Sequence, residues 1–203
     1  MRITLHKNIK NISEIEQIQL LDSLTYSDKY LLSVEDYMER VKINSSILYA
    51  AKNTQNIIIG YISIVPLTYE AYIRIKNGET DKEVIYKDAI IKEGTDAEYF
   101  YFDSIIIDPS YRRYKLGKKL TSYALYNLQK ENPNLKKMVA HTVSKGGRNL
   151  LAKYGLEFKK NLDNNTAVVE KVNNRKHYRK KKIYRDKDKR EVCQKTNWYR
   201  EID

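Results

Sequence analysis

The sequence predicts an α/β (α+β) fold, a sheet flanked by helices, with a basic tail at its C-terminus. Three observations predict it. Runs rich in β-branched and aromatic residues alternate with segments whose apolar residues recur every three or four positions. The run EYFYFDSIII at 98–107 is followed at once by Pro109 and a helical pattern, giving a strand–turn–helix unit. Finally, 203 residues with 41% hydrophobic and 32% charged side chains fit one domain plus an appendage, and are too apolar for wholesale disorder.

Residues 2–6 (RITLH) alternate as a first strand, and Ile12, Ile15, Ile18 and Leu21 then share one helical face. Ser33, with Glu35 and Asp36 behind it, opens a second helix reaching Val41, since acidic residues suit a helix N-terminus. SILYAA (46–51) and IIIGYISIV (57–65) read as a hairpin joined by KNTQN, whose Asn53 and Asn56 accept turn geometry. Segment 68–97 reads as an insertion over one face: a helical or extended stretch, a turn at Asn77-Gly78 and a β-like stretch from Glu83 to Ile91. The strand from Glu98 is apolar enough to be covered on both faces and so lies centrally in the sheet. Leu116, Leu120, Ala124 and Leu128 form a helix stopped by Asn132-Pro133. KKMVAHTV (136–143) returns as a strand, GRNLLAKY is a short helix ended by Gly155, and TAVVEKV (166–172) is a last strand.

Composition excludes several classes. Cys193 is alone, so neither an intramolecular disulfide nor a thiol-based zinc site can form, and a reducing compartment is the natural reading. The opening residues lack the apolar core of a signal peptide, and nowhere do 18 apolar residues run together, so a cytoplasmic protein without membrane contact is expected. His6, His141 and His177 show no metal-ligand spacing, and no metal is expected; His141 either touches substrate or simply bonds its surroundings. The net charge is +12, of which residues 171–203 carry 13 Lys plus Arg against 5 Asp plus Glu, or +8, leaving +4 for residues 1–170. Either the tail contacts an anionic partner, or the excess reflects a general abundance of Lys, Asn, Ile and Tyr.

The segment IIIDPSYRRYKLGKKL (105–120) carries the chemistry. It joins a buried strand to a helix through a turn holding Arg112, Arg113, Lys115 and Gly117. Such a turn aims backbone N–H groups and the positive end of the helix dipole at one point, and the cations add attraction for a phosphate. A solvated basic turn is the competing reading.

This stretch closely resembles motif A of the GNAT superfamily of acyl-CoA-dependent N-acetyltransferases, a strand ending V-x-P-x-Y-R followed by x-x-G-x-G and a helix. Ile107, Pro109, Tyr111, Arg112, Gly117 and Leu120 stand in register, while Lys115 replaces the first glycine. RNLLAKYGLEF resembles the family's motif B, with Gly155 and Leu156 at its end; Ser144 and Gly147 depart from its Asn and Ala. The resemblance covers residues 1–172 and implies a mixed, mostly antiparallel sheet flanked by helices, leaving 173–203 as a basic extension. It implies that acetyl-CoA is the acetyl donor. Its pantetheine would lie along Ile105 and Ile107, its pyrophosphate on the amides of Arg112, Arg113, Lys115, Leu116, Gly117 and Lys118, with the cations adding charge-assisted bonds.

The resemblance also assigns catalytic roles. Asp103 falls where many members carry a carboxylate base, and strand alternation predicts that it shares a face with Ile105 and Ile107; Glu98 is the reserve. The usual thiolate-protonating tyrosine position is Leu151, so Tyr154, Ser144 or water is expected to replace it. Asp103 serves either as base or as a carboxylate bonded to neighbours, and Tyr154 either as acid or as an aromatic packed under the helix.

The function predicted is transfer of acetyl from acetyl-CoA to a primary amine, small or macromolecular, by direct attack in a ternary complex. Cationic acceptors require Glu79, Asp81 and Glu83 of the insertion to form an acidic lip. An RNA-linked amine agrees with the tail, where cations alternate with His177, Tyr178, Tyr184, Trp198 and Tyr199. The alternative is a non-catalytic or weakly CoA-binding module whose tail binds RNA, another polyanion or a protein.

Overall fold

The computed structural model describes residues 2–26, 31–163 and 166–173; the side chains of Asp81 and Arg113 and nearly all of the extension 173–203 lie outside it. The elements are β1 (Thr4–Lys7), α1 (Ile12–Ser23), α2 (Val34–Ile43), β2 (Leu48–Lys52), β3 (Ile58–Leu67), α3 (Tyr69–Asn77) and α4 (Asp81–Val84). They continue with β4 (Tyr99–Ile107), α5 (Leu116–Glu131), β5 (Lys137–Thr142), α6 (Lys145–Ala152), β6 (Glu157–Asn161) and β7 (Ala167–Val172). The strands form one sheet in the order β1-β2-β3-β4-β5-β7-β6, antiparallel throughout except for the parallel pair β4–β5. β4 is central, as its apolar run predicts.

Local chemistry sets the ends of these elements. Ser33 and Asp36 cap α2 reciprocally, each side chain bonding the other's backbone N–H. In the β2–β3 hairpin the Asn53 carboxamide accepts from the amides of Gln55 and Ile57, and Asn56 takes φ 63. The apolar faces of α1, α2 and α3 cover one side of the sheet, where Tyr61, Tyr72, Tyr101 and Ile106 are buried; α5 and α6 cover the other, over Phe100, Phe102, Ile105 and Ile107.

Two expectations need correction. The stretch 83–91 is not a strand: α4 and a 3-10 turn at Lys87–Ala89 occupy it, and only Ile90 makes a bridge, to Leu67. Thr80 bonds Glu83 through its amide and hydroxyl, the capping-box pattern T-x-x-E that starts a helix. A seventh strand, β6, also pairs with the outer edge of β7. Its residues are exposed throughout, so no apolar period marks it.

Two irregularities in β4 create the working part of the molecule. The pairing with β3 skips from Ser63–Ser104 to Ile64–Phe102, so Asp103 is the extra residue of a β-bulge. β4 and β5 pair only from Tyr99–Lys137 to Tyr101–Val139, so residues 102–107 have no strand partner on that side among the described residues.

Candidate active site

The site grows out of the bulge. Alternation places Asp103 with Ile105 and Ile107, but the extra residue shifts the phase by one. Ile105 and Ile107 pack under α5, whereas Asp103 and Ser104 open with Tyr101 onto the opposite side. They line a cavity of about 260 Å³ between the ends of α1, α2 and α3. Tyr26, Tyr37, Tyr61, Tyr101 and His141 supply its rings, Leu32, Val143 and Leu162 its aliphatic wall, and Asp22, Asp103 and Asp163 its carboxylates. His141 donates through Nε2 to the Ile75 carbonyl at 2.7 Å and meets Tyr101 edge-on at 5.7 Å, so it both lines the cavity and is held by its surroundings.

The two buried carboxylates differ. Asp103 accepts from the Ser63 hydroxyl at 2.9 Å and faces the Arg40 guanidinium at 3.5 Å, with both charged side chains under a tenth exposed. Asp22, on the buried face of α1, accepts from the hydroxyls of Tyr37 (2.6 Å) and Tyr61. Ser104 donates to the Tyr61 oxygen at 3.0 Å, and the Tyr37 and Tyr61 oxygens lie 3.1 Å apart. Burial pushes the Asp22 carboxyl up to about 6, against the two tyrosine hydrogen bonds that pull it down.

On the far side of β4, α5 begins at Leu116 without a side-chain cap, with Lys115, Lys118 and Lys119 at its start. The turn Pro109–Tyr114 precedes it, with Asp108 capping Ser110 and Arg112 Nε donating to the Ile107 carbonyl at 3.2 Å. A Cβ at Gly117 would stand within 4.0 Å of Ile105, Ile107 and Leu150, so this helix start lies directly over the end of β4. Lys115 has φ 54, the left-handed conformation glycine takes easily. An uncapped sixteen-residue helix opening beside cations and an unpaired strand edge fits a phosphorylated, amide-bearing chain such as CoA.

Other expected residues fall elsewhere. Tyr154 is buried in the core below α5; its hydroxyl donates to the Lys118 carbonyl and lies 2.9 Å from the Ser122 hydroxyl, so it does not line the cavity. The reason is local. The turn Leu151–Leu156 closes on the Leu151 carbonyl and swings the ring back beneath α5. Ser144 caps α6 by accepting from the Gly147 amide, and Glu98 pairs with Lys136 at the surface. Glu79 pairs with Arg74, and Glu83 is held by Thr80, so these two make no acidic lip; the cavity's acidity comes from Asp22, Asp103 and Asp163. Asp22, Tyr37, Tyr61 and Arg40 were not anticipated. A carboxylate at i+7 from Ile15 and i+4 from Ile18, on the face buried in α1, was the available signal.

The acetyltransferase (GNAT) family model matches residues 12–156. The chain belongs to this GNAT family. No curated protein matches it in sequence. Solved structures resemble it at low identity. The loading GNATL domain of CurA from Lyngbya majuscula is 12% identical, with TM-score 0.62 over 85% of this chain and 98% of that one. The NatC complex bound to Gag peptide and CoA is 18% identical, with TM-score 0.60 over 84% and 96%. The PaiA N-acetyltransferase of Thermoplasma acidophilum in complex with coenzyme A is 16% identical, with TM-score 0.53 over 85% and 100%. At these identities the likeness is one of fold, and this GNAT chain keeps that fold across the described residues. Among those residues no helix is long and apolar enough to cross a membrane.

Proposed function

We propose that this GNAT chain transfers acetyl from acetyl-CoA to a primary amine held in the cavity beside the bulge of β4, in a ternary complex. The observation that carries the reading is the open edge of β4 at 102–107, which links the uncapped start of α5 to the cavity. The amides and cations from Arg112 to Lys118, Arg113 among them, would hold the pyrophosphate, and the backbone of Ile105 and Ile107 the pantetheine. Bound acetyl-CoA supplies a thioester carbonyl as the electrophile. Asp103, paired with Arg40, would anchor the acceptor nitrogen; the departing thiolate is weakly basic and takes its proton from water, with Tyr154 bracing the first turn of α5.

The cavity's size and lining favour a compact amine with an apolar or aromatic body. Its rings stack on flat groups and attract ammonium, and its three carboxylates, with no lysine or arginine among the described lining residues, oppose acidic acceptors. An RNA-linked amine would have to keep its phosphates outside, against the basic extension. The test is two-stage. Acetyl-CoA at hundreds of micromolar should raise the melting temperature, and absence of a shift removes the donor. Thiol release should then follow addition of arylalkylamines or aliphatic diamines and not of amino acids; preference for aminoacyl-RNA would transfer the acceptor site to the extension.

A further inference from the structure

The buried hydrogen-bond chain in the cavity wall runs in one direction. Ser104 donates to Tyr61 (3.0 Å), Tyr61 donates to Asp22, and Tyr37 donates to the second Asp22 oxygen (2.6 Å). Ser104 lies on β4 beside the bulge and, like Tyr61 and Asp22, lines the cavity; Asp22, where the chain ends, is only 2% exposed. A structural network needs its polar groups satisfied, and nothing more. This one aims the Ser104 proton at the Tyr61 oxygen and both tyrosine protons at one carboxylate. The tyrosine hydroxyls are ones that burial keeps protonated, so they can pass a proton only by receiving one at the same moment.

We infer that Ser104 and Tyr61 relay the proton of the acceptor amine to Asp22, which is the terminal base of the acetyl transfer. The inference rests on the acetyltransferase reading above and assigns its base. As the amine nitrogen bonds the carbonyl carbon and the C–S bond breaks, the nitrogen's proton moves to the Ser104 oxygen. The Ser104 proton moves to the Tyr61 oxygen, and the Tyr61 proton to Asp22. One N–H is lost, one carboxyl O–H is gained, and the thiolate leaves with the C–S electron pair. The groups facing Asp22 are Tyr37 of α2, Tyr61 of β3 and the nearby Tyr26, with Asp103 and its Arg40 partner beyond Tyr37. Asp103, ion-paired and bonded to Ser63, is the anchoring carboxylate and not the proton acceptor.

Two measurements test this, one without turnover. In the full chain, carbon-13 NMR titration of the aspartate carboxyls, assigned with Asp22→Asn, should find Asp22 titrating near 6, and higher in Tyr61→Phe, which removes one hydrogen bond to the carboxylate. A value below about 4.5 overturns the relay, because so weak a base would not hold the proton. In thiol-release kinetics with an amine the wild type acetylates, Tyr61→Phe and Ser104→Ala should each lower kcat roughly 10- to 100-fold with KM changed less than about 3-fold. The acid limb of kcat near pH 6 should vanish in Asp22→Asn. Full kcat in both relay variants, or an acid limb retained in Asp22→Asn, overturns the inference. A wild type without thiol release but with the titration as stated would defeat the acetyltransferase reading alone.

Discussion

The Asp22→Asn variant predicts a pH-dependent stability difference whose size follows from burial. An ordinary aspartate titrates at 3.8, and burial holds Asp22 near 6. Between these values the folded chain binds more protons at this site than the unfolded one. The site's contribution is therefore fully present below pH 3.8 and is lost as pH rises through 6. A shift of 6 − 3.8 = 2.2 pKa units corresponds to about 3 kcal/mol, or roughly 6–12 °C in melting temperature for a domain of this size. Asparagine stays neutral and still accepts from Tyr37, but it turns an N–H toward the Tyr61 hydroxyl proton or forces that hydroxyl to rotate, a cost that does not vary with pH. Glu93 and Glu170, whose carboxyls are held low by hydrogen bonds, shift stability the opposite way in both proteins and cancel in the difference. Calorimetric melting of both proteins from pH 3 to 8 should show the wild type losing ground to Asp22→Asn by about 3 kcal/mol, mostly between about pH 4 and 6. Parallel curves would refute the premise that Asp22 is ionised at the expense of the fold.

Three further outcomes are expected. Arg40→Met should cost roughly 3 kcal/mol by leaving Asp103 charged and buried, and adding Asp103→Asn should restore more than half; additive losses in urea unfolding would show that the two side chains are not coupled. Gly78→Ala should lose about 1–3 kcal/mol, since φ is 103° and the new Cβ would stand 2.5 Å from Leu162 Cδ2; unchanged thermal stability would be the contrary result. Lys115→Gly should gain roughly 0.5–1 kcal/mol by relieving the left-handed backbone, and should tighten acetyl-CoA binding in titration calorimetry if the lysine side chain obstructs the amides. A lower denaturation midpoint would contradict it.

Much of the fold is legible because the chain writes it in period. The threefold spacing of Ile12, Ile15 and Ile18, the capped opening at Ser33 and the aromatic and β-branched run before Pro109, broken only at Asp103 and Ser104, each state an element. The basic turn proposed for the donor is legible for the same reason, as a stretch of local sequence. The acceptor side is not. It brings together residues from α1, α2, β3 and β4 whose chemistry exists only after folding: Asp22 on a helix face, Tyr37 on another, and Tyr61 hidden in an apolar strand. The placement of Asp103 fails for a subtler reason. A bulge leaves no mark on composition, and one added residue reverses every side chain beyond it. β6 escaped because an edge strand of exposed lysines and polar residues has no buried face to announce.

That reversal makes β4 two strands in one. Up to Phe102 its odd residues face the helices α1 to α3; after Asp103 its even residues do. The strand therefore changes walls at a single residue, and on the proposed reading the two substrates meet there. Deleting that residue would join Phe102 to Ser104 in a regular ladder and leave Ile105 and Ile107 under α5, whereas keeping it without the bulge would turn Ile105 and Ile107 toward the polar cavity and Ser104 toward the apolar core beneath α5. At this position the irregular backbone, more than residue type, decides which wall each later side chain joins.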